Sequence, residues 1–109
     1  MEKKVEEKIQ ELQSLEQNMQ QLLLQKQNFQ AQLLEIENAL HELEKNPKQT
    51  FKIIGPIMVE TSKTRVEKDL NEKKEILDIK MKNVNKQEEK IREKVQTIQA
   101  EVLKEMQKK

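Results

Sequence analysis

The chain has 109 residues, of which 38% are charged and 34% hydrophobic, with two aromatics, Phe29 and Phe51, a single glycine, Gly55, and no cysteine. A compact domain of this length fills its interior with large apolar and aromatic side chains, so this composition excludes a conventional globular core, and the lack of cysteine excludes disulfides and thiol catalysis. The 21 basic and 20 acidic residues leave a formal charge of +1, which directs no overall field at nucleic acid, an acidic substrate or an anionic membrane.

A polar, Glu-, Lys- and Gln-rich chain is either disordered or built from helices with narrow apolar seams, and periodicity separates the two. The opening Met1-Glu2-Lys3-Lys4 leads into no apolar signal-peptide core, and no apolar run approaches the 18 or so residues a membrane span requires. The reading is a soluble, cytoplasmic chain, a location that the missing cysteine suits.

From Met1 to Lys45 there is neither Gly nor Pro, and good helix formers dominate. With Val5 at heptad position a, the a series is Val5, Leu12, Met19, Lys26, Leu33 and Leu40, and the d series is Lys8, Leu15, Leu22, Phe29, Ile36 and Leu43. Ten of these twelve seam positions are apolar, which is the pattern of a coiled coil sustained over six heptads. Lys26 and Lys8 read as polar seam residues that set register or partner choice. His41, the one histidine, falls at position b beside Glu42 and Glu44. Without a second His or a Cys it is a solvated residue and not a metal ligand.

Between Asn46-Pro47 and Thr61 the helical period gives way to an extended one. Phe51, Ile53, Ile57 and Val59 belong to the residue types enriched in strands, and Gly55-Pro56 divides them into two arms. Gly55 supplies the positive φ of the first central position of a type II′ turn, and Pro56 the φ near −65° of the second. A lone hairpin is marginal in water and leaves its edges and an apolar face uncovered, so its apolar residues call for other subunits.

The segment from Ser62 to about Gln107 again lacks Gly and Pro. Its d series, Leu70, Leu77, Val84, Ile91, Ile98 and Glu105, is stronger than its a series of Glu67, Lys74, Met81, Glu88, Val95 and Val102. Thr64 and Glu67 have capping-box spacing, while Thr61 or Ser62 would cap one turn earlier. Each helical segment, at 1.5 Å per residue, predicts a rod roughly 65 to 70 Å long. The first carries five Lys and nine Glu, and the last, Ser62 to Lys109, fourteen basic and ten acidic residues. Opposite signs favour an antiparallel pair, weakly. In such a pair Ile9, Leu103 and Met106, which fall outside the a/d seam, gather with Val5, Leu12 and Val102 at the end farthest from the hairpin.

The carboxylates lie on helix faces among lysines and converge on no pocket, so no catalytic residue, cofactor or metal is expected. The lysines from Lys63 to Lys94 are interleaved with acidic residues and lack aromatic stacking partners, which reads as a solvated face and not a nucleic-acid track. The expected class is mainly α: two long antiparallel helices forming a coiled-coil arm and joined by a central β-hairpin, with helix about 2–45, hairpin about 50–60 and helix about 62–107.

The order helix, Phe51-Lys52-Ile53-Ile54-Gly55-Pro56-Ile57-Met58-Val59, helix resembles the beta class of the prefoldin family, which includes the archaeal beta subunit and eukaryotic prefoldin subunit 6. Phe51 to Gly55 match the aromatic-Lys-apolar-apolar-Gly strand and turn of that class, and Pro56 matches the subunit 6 branch. Lys26-Gln27 and Lys86-Gln87-Glu88-Glu89-Lys90-Ile91 resemble short elements of its two helices. The resemblance covers essentially the whole chain as a single domain, 1–109, but only the hairpin is specific.

What it implies is a hetero-hexamer of two alpha-class and four beta-class chains, whose hairpins join into an intersubunit β-barrel platform. Phe51, Ile53, Gly55, Pro56, Ile57 and Val59 would serve that assembly. Val5, Ile9, Leu12, Val102, Leu103 and Met106 would contact unfolded protein clients at the tips, without ATP, for delivery to a group II chaperonin; no nucleic acid or membrane partner is implied. Two departures bear on the detail: Met1 leaves almost no extension before the first helix, and the chain ends at Lys109 without a Gly- or Pro-containing tail, so client contacts from such tails would be lacking. The rival is a structural coiled-coil scaffold or tethering subunit, which explains the heptads but not a central hairpin.

Overall fold

Strong helix formers without interruption carry α1 over Glu2–Glu44 and α2 over Lys63–Gln107, with β1 at Thr50–Ile54 and β2 at Ile57–Thr61 between them. The computed structural model describes residues 2–108, so the expected ends at Met1 and Lys109 lie outside the described residues. The chain divides into two units, one formed by Met1–Gln27 with Lys82–Lys109 and the other by Asn28–Met81.

In the Asn28–Met81 unit the end of α1 is closed by backbone bonds from Lys45 N to Glu42 O and from Asn46 N to Leu43 O, at 3.2 and 3.1 Å. Asn46 takes a left-handed φ of 54°, a conformation its short polar side chain tolerates, and Pro47 then prevents continuation. Lys63 Nζ donates to Asn46 Oδ1 at 2.6 Å, tying the start of α2 to the end of α1. The N-cap of α2 is Ser62: its hydroxyl accepts from Arg65 N at 3.2 Å and its carbonyl from Val66 N at 3.1 Å. Such a cap contributes about 1 kcal/mol. The Thr64–Glu67 capping box is therefore not the start of the helix, because the Ser62 hydroxyl is already placed to accept one turn earlier.

β1 and β2 pair antiparallel from Thr50↔Thr61 to Ile54↔Ile57, which leaves Gly55-Pro56 as a two-residue loop. Gly55 has φ 57°, and Asn46 is the one non-glycine with positive φ among the described residues. Positive φ at the first central position alone is the type II′ pattern, since type I′ would require it at Pro56 as well.

Burial follows the heptads. In the Asn28–Met81 unit Ile36, Leu43 and Leu77 are buried and Phe29, Leu33, Leu40, Leu70 and Met81 half-buried; in the other unit Leu15, Leu22, Val84 and Ile98 are buried. Antiparallel pairing in that second unit is shown by Lys8 Nζ 3.2 Å from Glu101 and Lys26 Nζ 3.2 Å from Glu88, which set the early part of α1 against the late part of α2. The polar a positions Glu67 and Lys74 are half-buried, and Glu67 Oε1 lies 3.6 Å from Lys63 Nζ.

Candidate functional site

Exposed apolar side chains include Leu23, Leu24, Leu34, Ile76 and Ile79 along the helices, and two further sets coincide with the residues singled out from the sequence, one in each unit. The first is the hairpin, where Phe51, Ile53, Ile54, Ile57, Met58 and Val59 are between 44% and 70% exposed. Directly opposed residues of an antiparallel pair share a face, and alternate residues along a strand change face. The register therefore puts Phe51 and Ile53 on one face with Met58 and Glu60, and Ile54, Ile57 and Val59 on the other with Lys52.

The single apolar face expected from the sequence is thus two apolar faces, and Phe51 and Ile53 do not share one with Ile57 and Val59. Ile54 and Met58 belong to the set as well, one on each face. A two-residue turn was the signal that would have found them, since it fixes which residues oppose each other. Gly55 has nothing within 4 Å of a notional Cβ, so its φ and not the space around it restricts substitution. Lys52 Nζ reaches Asp69 of α2 at 3.5 Å, and a shallow depression at the base of the hairpin is lined by Leu43, Pro47, Phe51 and Val66.

The second set lies in the unit formed by Met1–Gln27 and Lys82–Lys109. Ile9, Leu103 and Met106 are exposed by 43%, 58% and 63%, whereas Val5, Leu12 and Val102 are half-buried at seam positions. The six residues read together from the sequence therefore divide into three that close the helix pair and three that remain open. One shallow groove beside the seam is lined by Leu12, Leu15, Met19, Ile91 and Val95 together with polar residues. Another is bordered mainly by polar side chains, among them Asn18, Gln21, Gln25 and Lys94.

His41 is exposed with Nδ1 3.6 Å from Glu44. No group of three or more His, Cys, Asp or Glu is placed to hold a metal among the described residues. Among the described residues no helix is long and apolar enough to cross a membrane. A charged cluster that sequence reading did not assemble joins Lys26 of α1 to Glu88 and Arg92 of α2. Its signal was a basic residue, Lys26, interrupting the apolar a series of α1 and an acidic one, Glu88, in the weaker a series of α2.

Residues 6–109 match the family model described as Prefoldin subunit. A prefoldin subunit beta of Saccharolobus islandicus strain L.S.2.15 is 37% identical over 76 residues, covering 62% of this chain and 60% of that protein. One from Archaeoglobus fulgidus is 46% identical over 59 residues, covering 52% of this chain and 51% of its own length. The chain thus spans less than two thirds of the length of these curated relatives. The crystal structure of the prefoldin beta subunit from Thermococcus strain KS-1 superposes with a TM-score of 0.85 at 32% identity, over 91% of this chain and 89% of that one. With the two helices, the hairpin between them and a family match running almost from end to end, the chain belongs to the prefoldin subunit family.

Proposed function

We propose that this chain works as one prefoldin-type domain, the beta-class subunit of an ATP-independent holdase chaperone. The observation that carries the reading is the hairpin with apolar side chains exposed on both faces. A two-stranded sheet of that kind is not stable alone in water, and strands or helices from neighbouring subunits would cover it. Joined to an alpha-class chain and further beta-class copies in a hexamer, the hairpins would form a β-barrel platform. Ile9, Leu103 and Met106, with Val5, Leu12 and Val102 behind them, would then contact unfolded clients. Each exposed aliphatic group contributes about 1.5 to 3 kcal/mol when fully buried, so a single site binds weakly and several acting together bind usefully. Release to a group II chaperonin completes the proposed cycle, in the cytoplasm and without a cofactor.

The test is suppression of aggregation. A complex of this chain with an alpha-class prefoldin subunit, at equal molar ratio to a chemically unfolded model protein and without nucleotide, is expected to slow the rise of light scattering. An assembled complex that leaves the scattering curve unchanged would favour the structural scaffold in place of the chaperone.

A further inference from the structure

Glu88 is the one buried charged or polar residue among the described residues, and it interrupts an otherwise apolar stretch of seam between Val84 and Ile91. Both of its oxygens are engaged. Lys26 Nζ donates to Oε2 at 3.2 Å across the helix pair, and Arg92 Nη2 donates to Oε1 at 2.6 Å from the next turn of α2. No buried side-chain polar atom lacks a hydrogen-bond partner among the described residues. Lys26, Glu88 and Arg92 all belong to the same unit, so the cluster is an internal feature of one helix pair.

We propose that the Lys26–Glu88–Arg92 cluster decides which helix pairs with which, and in which register. The apolar layers cannot do this well. Seven residues on either side of Lys26 stand Met19 and Leu33, and seven on either side of Glu88 stand Met81 and Val95. At these flanking positions a slip of one heptad exchanges one apolar residue for another, but it seats Glu88 beside Met19 or Leu33 and strips it of Lys26. A buried carboxylate short of a partner is heavily penalised, whereas its replacement by an apolar residue of similar size is often neutral or stabilising.

The same cluster opposes pairing between copies. Two α1 helices side by side in parallel register bring Lys26 against Lys26, and two α2 helices bring Glu88 against Glu88, whereas α1 against α2 unites opposite charges. Lys8–Glu101 discriminates less, because the Glu101 side chain is half exposed and water screens the pair. Specificity here comes at no gain in stability, which makes the two roles separable by experiment.

The full chain has no cysteine of its own, so introduced pairs report register without interference. Lys8→Cys with Glu101→Cys marks the observed register, and Lys8→Cys with Lys94→Cys or with Lys108→Cys marks slips of one heptad either way. A short bifunctional thiol reagent joins pairs that are close, and the mass of the product separates joining within a chain from joining between chains. With the native cluster, only the 8–101 pair is expected to join efficiently within one chain. In the background Lys26→Met, Glu88→Leu, the 8–101 yield is expected to fall while slipped pairs and inter-chain products appear, with helicity and thermal midpoint kept or raised. The charge-exchanged background Lys26→Glu, Glu88→Lys, Arg92→Glu is expected to restore the 8–101 pair. The proposal is overturned by an apolar background that keeps the parent pattern, by one that loses helicity, or by a helical charge-exchanged chain that does not regain the register.

Discussion

Replacing Phe51, Ile53, Ile57 and Val59 together by Ser is expected to abolish assembly with other prefoldin subunits while leaving the helical circular dichroism largely intact. These side chains are exposed in the single chain, so removing them takes little from its own stability. In an assembly each would contribute about 1.5 kcal/mol or more on burial. Losing four of them weakens association by about 6 kcal/mol, on the order of ten-thousandfold at 1.4 kcal/mol per factor of ten. Because the register places two of the four on each face, half-variants sharpen the test. Phe51→Ser with Ile53→Ser strips one face, and Ile57→Ser with Val59→Ser the other. Sedimentation of each with its partner should show both faces to be needed, and a half-variant that assembles like the parent would mean that one face stays open to solvent in the complex.

The second large effect concerns holding. Ile9→Gln, Leu103→Gln and Met106→Gln together are expected to leave the complex intact and its helicity unchanged, yet to reduce suppression of aggregation steeply. None of the three closes the seam, which rests in this unit on Val5, Leu12, Leu15, Leu22, Val84 and Ile98 among others. Each contact is weak, but a client engaged by several subunits at once multiplies the losses, so the drop in holding exceeds what one site would show. Light scattering of an unfolded model protein at equal complex concentration reads the difference. If the triple variant performs as the parent does, clients are held elsewhere, and the groove lined by Leu12, Met19, Ile91 and Val95 becomes the next surface to alter.

Much of this architecture is legible from residue spacing because one physical rule dominates it. All twelve seam positions assigned along α1 are buried or half-buried, and so are the twelve along α2, polar a positions included. A helix pair has a single shared face, so seven-residue periodicity names the buried residues directly. Gly55 was equally legible, since in a two-residue Gly55-Pro56 loop only the glycine is able to supply positive φ.

What escaped the sequence depended on contacts between distant residues or on competition between local options. Ser62, and not Thr64, caps α2 because several hydroxyls within one turn could have done so, and only the path of the chain out of β2 selects one. The two-faced hairpin was hidden by treating its apolar residues as one set, although alternation in a five-residue strand necessarily divides them. Glu88 looked like a flaw in a weak a series. Its partner lies 62 residues away in sequence, and only folding back of the chain turns the flaw into a satisfied ion pair.

The most direct test of the proposed assembly is the native mass and chain composition of the species present when this protein is mixed with an alpha-class prefoldin subunit. A discrete six-chain species is expected, containing two alpha-class chains and four copies of this one, formed through the hairpin and lost in the Phe51, Ile53, Ile57, Val59 variant. A chain that remains monomeric beside the alpha-class subunit, or that forms only a two-chain coiled coil indifferent to those four substitutions, would contradict it.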